Sequence, residues 1–135
     1  MVRNAVNIGG PGSRRLGFSD AVRVPAAGSM LFVSGVTSRD SDGAVVGVDD
    51  PMVQMRCALE RLDRVVREGG AERDDVVQVR VLVRNIDHWS TMESTFDRFW
   101  GAIWPACTLF EVSGLFDDDL LVEIEAVAAV PATDV

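Results

Sequence analysis

The segment that most constrains the fold is residues 120–130, where apolar side chains alternate with Glu123 and Glu125. Successive side chains of a β-strand point to opposite faces of a sheet, so this segment predicts a strand with one apolar face and one face that carries two carboxylates. The apolar face must be covered by other elements of the chain. The face that carries the carboxylates is expected to form a polar-lined contact between copies of the chain.

Two helices are indicated by apolar residues spaced three and four apart, the first after Asp50 and Pro51 and the second from Trp89 onward. Ser90 and Glu93 have the spacing of a capping box at the start of the second helix. The predicted order of elements is ββαβαββ, which packs most simply as an α+β domain with both helices on one face of the sheet. The predicted strands lie at 18–24, 30–36, 76–83, 108–112 and 120–130.

The length and composition suit one domain over residues 1–135, because 135 residues with 47% hydrophobic content can form one core. Residues 1–15, which contain the run GGPGS, are predicted to be a flexible arm. The sequence contains no apolar run of the roughly 18 residues that a membrane helix needs and no secretory signal, so we expect a cytoplasmic protein without membrane contact.

The charge and residue types exclude several classes of function. A net charge of −8 and the lack of any long basic run argue against nucleic-acid binding. All 13 basic residues are arginines, so Schiff-base chemistry on a lysine is excluded. Cys57 and Cys107 are expected to be free thiols, and His88 has no potential metal ligand at a useful spacing. We therefore expect neither a metal nor a cofactor.

Six short segments carry a resemblance to a known family. They are GFSDAV at 17–22, LFVSG at 31–35, DVV at 75–77, PA at 105–106, EV at 111–112 and VEIEAVA at 122–128. Over residues 15–130 the chain resembles the Rid (YjgF-like, reactive intermediate deaminase) family. This resemblance implies a chorismate-mutase-like α+β fold with a mixed six-stranded sheet and two helices on one face. It also implies a homotrimer with three small-molecule clefts between subunits, and hydrolysis of enamines and imines without a cofactor.

The resemblance also implies which residues contact a substrate. Ser34 and Gly35 at a strand end, together with Glu111, match positions of the family's site. Glu123 matches the glutamate that positions water in the deaminases. From the residues alone Glu123 has two interpretations, a general acid and base in a cleft or a solvated or ion-paired strand residue.

Three positions differ from the deaminase pattern. Cys107 replaces the arginine that clamps a substrate carboxylate, Phe18 replaces a tyrosine, and Glu93 replaces an asparagine on the second helix. Losing a bidentate arginine removes affinity and orientation for amino-acid-derived substrates. Cys107 itself is either a nucleophile or polar contact that lines the pocket, or a small apolar packing residue.

These features favour a cofactor-independent Rid-like enzyme that acts on a small reactive imine, enamine or carbonyl intermediate, with Glu123 and Cys107 as candidate catalytic residues. The reaction could be hydrolysis, dehydration, tautomerisation or cyclisation, and would suit a tailoring step in bacterial biosynthesis rather than standard 2-iminoacid deamination. The alternative is a non-catalytic small-molecule-binding or chaperone-like trimer. A third reading, ribonuclease activity, is opposed by the net negative charge.

Overall fold

The computed structural model describes residues 3–6, 18–19, 21–25 and 28–132. Within them, six strands and two α-helices follow one another along the chain, and short 3-10 helices at Arg73–Asp75 and Ile86–His88 precede β4 and α2. No helix in these ranges is long and apolar enough to cross a membrane. The elements are β1 (Asn4–Val6), β2 (Ala21–Arg23), β3 (Ser29–Thr37), α1 (Pro51–Glu68), β4 (Val76–Val83), α2 (Trp89–Trp100), β5 (Ala106–Glu111) and β6 (Val122–Val130).

The main sheet has four strands in the order β3-β6-β4-β5. The β4–β5 pair is parallel and the pairs of β6 with β3 and β4 are antiparallel, so the expected mixed sheet is confirmed. The expectation that six strands form one sheet needs correction. In the described residues β1 and β2 pair only with each other, as a separate two-stranded sheet. Both strands have three residues, and such short strands offer few ladder hydrogen bonds to join them to the main sheet.

Two of the predicted element boundaries at the amino end changed. Residues 4–6, which belong to the segment predicted to be a flexible arm, form β1. Within the predicted strand at 18–24, β2 occupies Ala21–Arg23, and residue 20 lies outside the described residues. The rest of the predicted arm, apart from Arg3, lies outside the described residues.

Helix α1 begins where the sequence predicts. The carboxylate Oδ1 of Asp50 accepts a hydrogen bond from the Val53 backbone N–H at 3.1 Å, and Pro51 occupies the first helical turn, where it loses no helical hydrogen bond. The buried face of α1 includes Met55, Leu59 and Leu62.

Helix α2 begins earlier than a capping box at Ser90 would require, so that prediction is wrong. The residue before the helix is His88, which makes no side-chain cap, and the Ser90 hydroxyl donates to the Asp87 carbonyl at 3.2 Å. The cause is the 3-10 turn Ile86–His88, which runs directly into α2. The Asn85 side chain caps this turn by accepting from the Asp87 N–H at 3.0 Å.

Both helices cover the same face of the sheet. Val79 and Val81 of β4 pair in register with Ala126 and Ile124 of β6, so these four side chains share one face. They belong to one buried core with the apolar residues of α1 and with Phe96 and other residues of α2. The α+β architecture with two helices on one face is thereby confirmed. The opposite face of the sheet, which carries Glu123 and Glu125, is called the open face below.

Candidate functional site

Glu123 lies on the open face, against the backbone of Gly35. The pairing of β3 with β6 shifts register between Val33 and Val36, so Ser34 and Gly35 occupy an irregular part of the edge strand. A Cβ atom built on Gly35 would lie 2.6 Å from Glu123 Cδ and 2.9 Å from Cγ, and would collide with Oε1. The carboxylate can therefore lie across β3 only because residue 35 has no side chain.

Three of the predicted site residues are thus brought together by the pairing of β3 with β6. Glu123 is half-buried, whereas Ser34 and Gly35 are exposed. In register, Glu123 faces Thr37 of β3 and Leu82 of β4. The result is a carboxylate held beside a stretch of open backbone, an arrangement that could hold a small molecule and transfer a proton.

Phe18 is placed near the Pro105–Ala106 segment by hydrogen bonds of the next residue, Ser19. The backbone N–H of Ser19 donates to the Pro105 carbonyl at 3.1 Å, the Ser19 hydroxyl donates to the Trp104 carbonyl, and Ser19 forms a parallel bridge with Ala106. This connection holds Phe18, which is half-buried, at the start of β5.

Cys107 lies on the face of the sheet that the helices cover. It pairs in register with Val79, a residue of the core face, and it packs against the core. Burial raises the pKa of the Cys107 thiol to about 12, so the group is protonated at neutral pH. Because Glu123 is on the open face, the sheet separates it from Cys107 within one protomer. Of the two interpretations of Cys107, this geometry favours the packing residue.

Glu93 and Glu111 are not brought to Glu123 within one protomer. Glu93 is exposed on α2, and α2 covers the other face of the sheet. On the same helix, burial raises the pKa of Asp97, and the negative charge of the nearby Glu93 raises it further. Glu111 is exposed at the end of β5, two strands away from β6, and its Oε2 accepts from the Ile86 N–H at 3.2 Å. In this protomer Glu111 therefore holds the turn that leads into α2.

A groove beside Gly35 contains two residues that the sequence did not reveal. The cavity has a volume of about 510 Å³ and is lined by Ser34, Gly35 and Thr37 of β3 together with Arg39 and Arg61. Arginine on a helix surface usually is a solvated side chain, so Arg61 carries no signal in the sequence. Its place in the groove follows from the packing of α1 against β3. In the described residues no group of three or more His, Cys, Asp or Glu side chains could hold a metal ion.

The chain is an α+β domain with both helices on one face of the sheet and Glu123 on the other. Comparison with known sequences identifies its family. Residues 13–130 match the family model described as endoribonuclease L-PSP, and the chain belongs to that family. A 2-iminobutanoate/2-iminopropanoate deaminase of Salmonella typhimurium is 32% identical over 104 residues, 75% of this chain and 80% of that protein. A RutC family protein of Pyrococcus abyssi is 30% identical over 111 residues, 82% of this chain and 84% of that protein.

A solved structure shows the same fold. The crystal structure of YyfB from Yersinia pestis, a protein of unknown function of the conserved Rid protein family, has a TM-score of 0.87 and 31% sequence identity. The match covers 96% of this chain and 100% of that chain. The resemblance to the Rid family is therefore confirmed.

Proposed function

We propose that this protein is a cofactor-independent enzyme that acts on a small reactive imine, enamine or carbonyl intermediate, with Glu123 as the residue that transfers protons. The observation that carries the proposal is the Glu123 side chain lying across the Gly35 backbone on the open face. The similarity to a named imine deaminase of Salmonella typhimurium supports the same reaction type.

Hydrolysis of an imine requires a group that can take up and return a proton. Water adds to the carbon of the C=N bond and loses one proton to the Glu123 carboxylate. The carboxyl group returns this proton to the nitrogen, which gives a carbinolamine. The hydroxyl proton of the carbinolamine then passes through Glu123 to the nitrogen, the C–N bond breaks, ammonia leaves and the carbon keeps a C=O bond. An ionised carboxylate only accepts hydrogen bonds, which suits the first step, and its protonated form can donate in the second.

The proposed substrate is not held as in a standard 2-iminoacid deaminase. Position 107 carries a thiol in place of the arginine clamp, and that thiol is protonated among core residues. Phe18 has no hydroxyl that could order water. Tautomerisation, dehydration and cyclisation also need a proton carrier, and we include them in the proposal. Such a step would serve as a tailoring reaction in the cytoplasm of a bacterium.

We further propose that the open face is covered by other copies of the chain in a homotrimer, with small-molecule clefts between subunits. In the isolated chain Phe32 is 75% exposed, Met30 is 50% exposed and Phe110 is 37% exposed. Arg80 lies 5.7 Å from the Phe110 ring centre on the same face. Large apolar side chains among charged ones are typical of an interface between subunits.

The test of the function is Glu123→Gln, with Glu125→Gln as the matched control on the same strand and face. Each variant removes one carboxylate and keeps nearly the same volume. We expect Glu123→Gln to lower turnover of a panel of small imines and enamines by about 10²- to 10⁴-fold, the usual contribution of a general acid and base. Glu125→Gln should retain turnover. If both variants turn over the panel at the rate of the unmodified protein, Glu123 does not have the proposed role.

Non-catalytic binding is the second candidate, and the protonated, core-packed Cys107 favours it. The same panel distinguishes the two functions. Saturable binding without any turnover by the unmodified protein would support the binding protein and contradict the enzyme.

A further inference from the structure

The groove along the free edge of β3 contains a cationic group, Arg61, that forms no ion pair with a described residue. In the described residues β3 pairs only with β6, so its other edge opens into the groove of about 510 Å³ beside α1. Arg61 of α1 lies on this groove, and one of its guanidinium nitrogens donates to the Thr37 carbonyl. No carboxylate in the described part of the chain lies within salt-bridge distance of Arg61.

The second arginine of the groove is already occupied. Arg39 forms an ion pair with Asp117 and donates to the Gly43 carbonyl at 2.9 Å. These contacts neutralise its charge and hold its side chain in place. Arg61 therefore supplies the net positive charge of the groove, and the donors that it does not direct at Thr37 are available to a ligand.

The remaining walls of the groove fit the rest of a small organic molecule. Val36 and Val65 provide apolar surface, and Ser34 provides a hydroxyl. Gly35 lines the groove and also contacts the Glu123 side chain, although Glu123 itself is not part of the lining. A molecule bound here thus meets a cation, an apolar wall and Gly35, which the Glu123 side chain contacts.

We propose that Arg61 of α1 binds the carboxylate of a small organic acid in this groove. Arg61 would then take the role of the arginine that is absent at position 107. The inference rests on the proposed function in one respect, that the bound acid is the substrate. A guanidinium recognises a carboxylate through two parallel hydrogen bonds, which specifies orientation as well as charge. The substrate class is then a carboxylate-bearing imine or carbonyl compound, held from a different element than in the deaminases.

The experiment measures binding by calorimetry to the 135-residue chain, with 2-oxobutanoate as the carboxylate probe and its neutral amide, 2-oxobutanamide, as the comparison. The unmodified protein should bind the carboxylate more tightly than the amide. Arg61→Met keeps the apolar stem and removes the charge, so it should weaken carboxylate binding by about 10- to 100-fold, the effect of losing a hydrogen bond to a charged group. Binding of the amide should be unchanged, and this also shows that the variant is folded.

Two further variants separate a specific contact from a general loss of charge. Arg64→Met removes the same charge from an exposed position of the same helix and should leave the preference for the carboxylate intact. Arg61→Lys keeps a charge without the planar guanidinium and should retain part of the preference. Equal affinity of the unmodified protein for the two probes would overturn the inference, as would equal effects of Arg61→Met and Arg64→Met.

These outcomes are independent of the proposed catalysis. If no imine is turned over but Arg61→Met abolishes the preference for the carboxylate, the enzyme proposal fails and the anion site stands. If turnover depends on Glu123 but the preference is unaffected by Arg61→Met, the site fails and the enzyme proposal stands.

Discussion

Gly35→Ala tests whether the position of the Glu123 carboxylate matters to function. The new Cβ would lie 2.6 Å from Glu123 Cδ, whereas non-bonded carbon atoms prefer about 3.5 Å or more, so the carboxylate must move by about 1 Å. Gly35 does not have a left-handed backbone conformation, so alanine fits its φ and ψ angles. The displaced group is the end of a flexible side chain, and we expect the free energy of unfolding to change by less than about 1 kcal/mol.

A displacement of about 1 Å in a catalytic group can lower a rate by roughly 10²-fold, and this is the loss we expect in turnover of imines by Gly35→Ala. The matched control is Gly114→Ala, because a Cβ at Gly114 meets nothing within 4 Å. The double variant Gly35→Ala/Glu123→Gln should be no slower than Glu123→Gln alone, since both changes act through one carboxylate. Full turnover by Gly35→Ala, or losses that multiply in the double variant, would refute the reasoning.

Three other measurements test separate parts of the structure. Burial raises the pKa of the Cys107 thiol to about 12, so the folded protein keeps a proton that the unfolded chain loses above about pH 8.5. The free energy of unfolding should therefore fall as the pH rises above this value, by at most about 1.4 kcal/mol per pH unit, and a urea titration series of Cys107→Ala should show a flatter dependence. Asp50→Ala removes the cap of α1 and should cost about 1 kcal/mol in urea denaturation, so an unchanged midpoint would contradict the capping role. Phe32→Asp introduces a charge at a side chain that is 75% exposed in the isolated chain. Sedimentation should show a folded monomer for this variant, whereas we expect a trimer for the unmodified protein. An unmodified protein that sediments as a monomer would contradict the proposed assembly.

The sequence predicted the parts of the fold that have long periodic patterns. The alternation in β4 and β6 and the helical spacing after Asp50 correspond to elements of eight or more residues. It missed β1, because a three-residue strand has no period to detect. At α2 the spacing of Ser90 and Glu93 was misleading, since the preceding 3-10 turn begins the helical backbone before Ser90.

A strand that is correctly predicted from the sequence does not reveal which residues lie beside it in the sheet. Alternation along β6 predicts that Glu123 faces away from the core, but the residue opposite it depends on the register shift in β3, which no local pattern encodes. Cys107 was linked to Glu123 through the family motif, whereas the parallel register of β5 with β4 directs its side chain toward the helices. The strand register therefore places Cys107 and Glu123, which the family motif links, on opposite faces of the sheet. The proposed proton transfer depends on the open face and Gly35, and the proposed recognition of an acid depends on Arg61 of α1 at the edge of β3. A change at position 107 can then alter stability without altering either one.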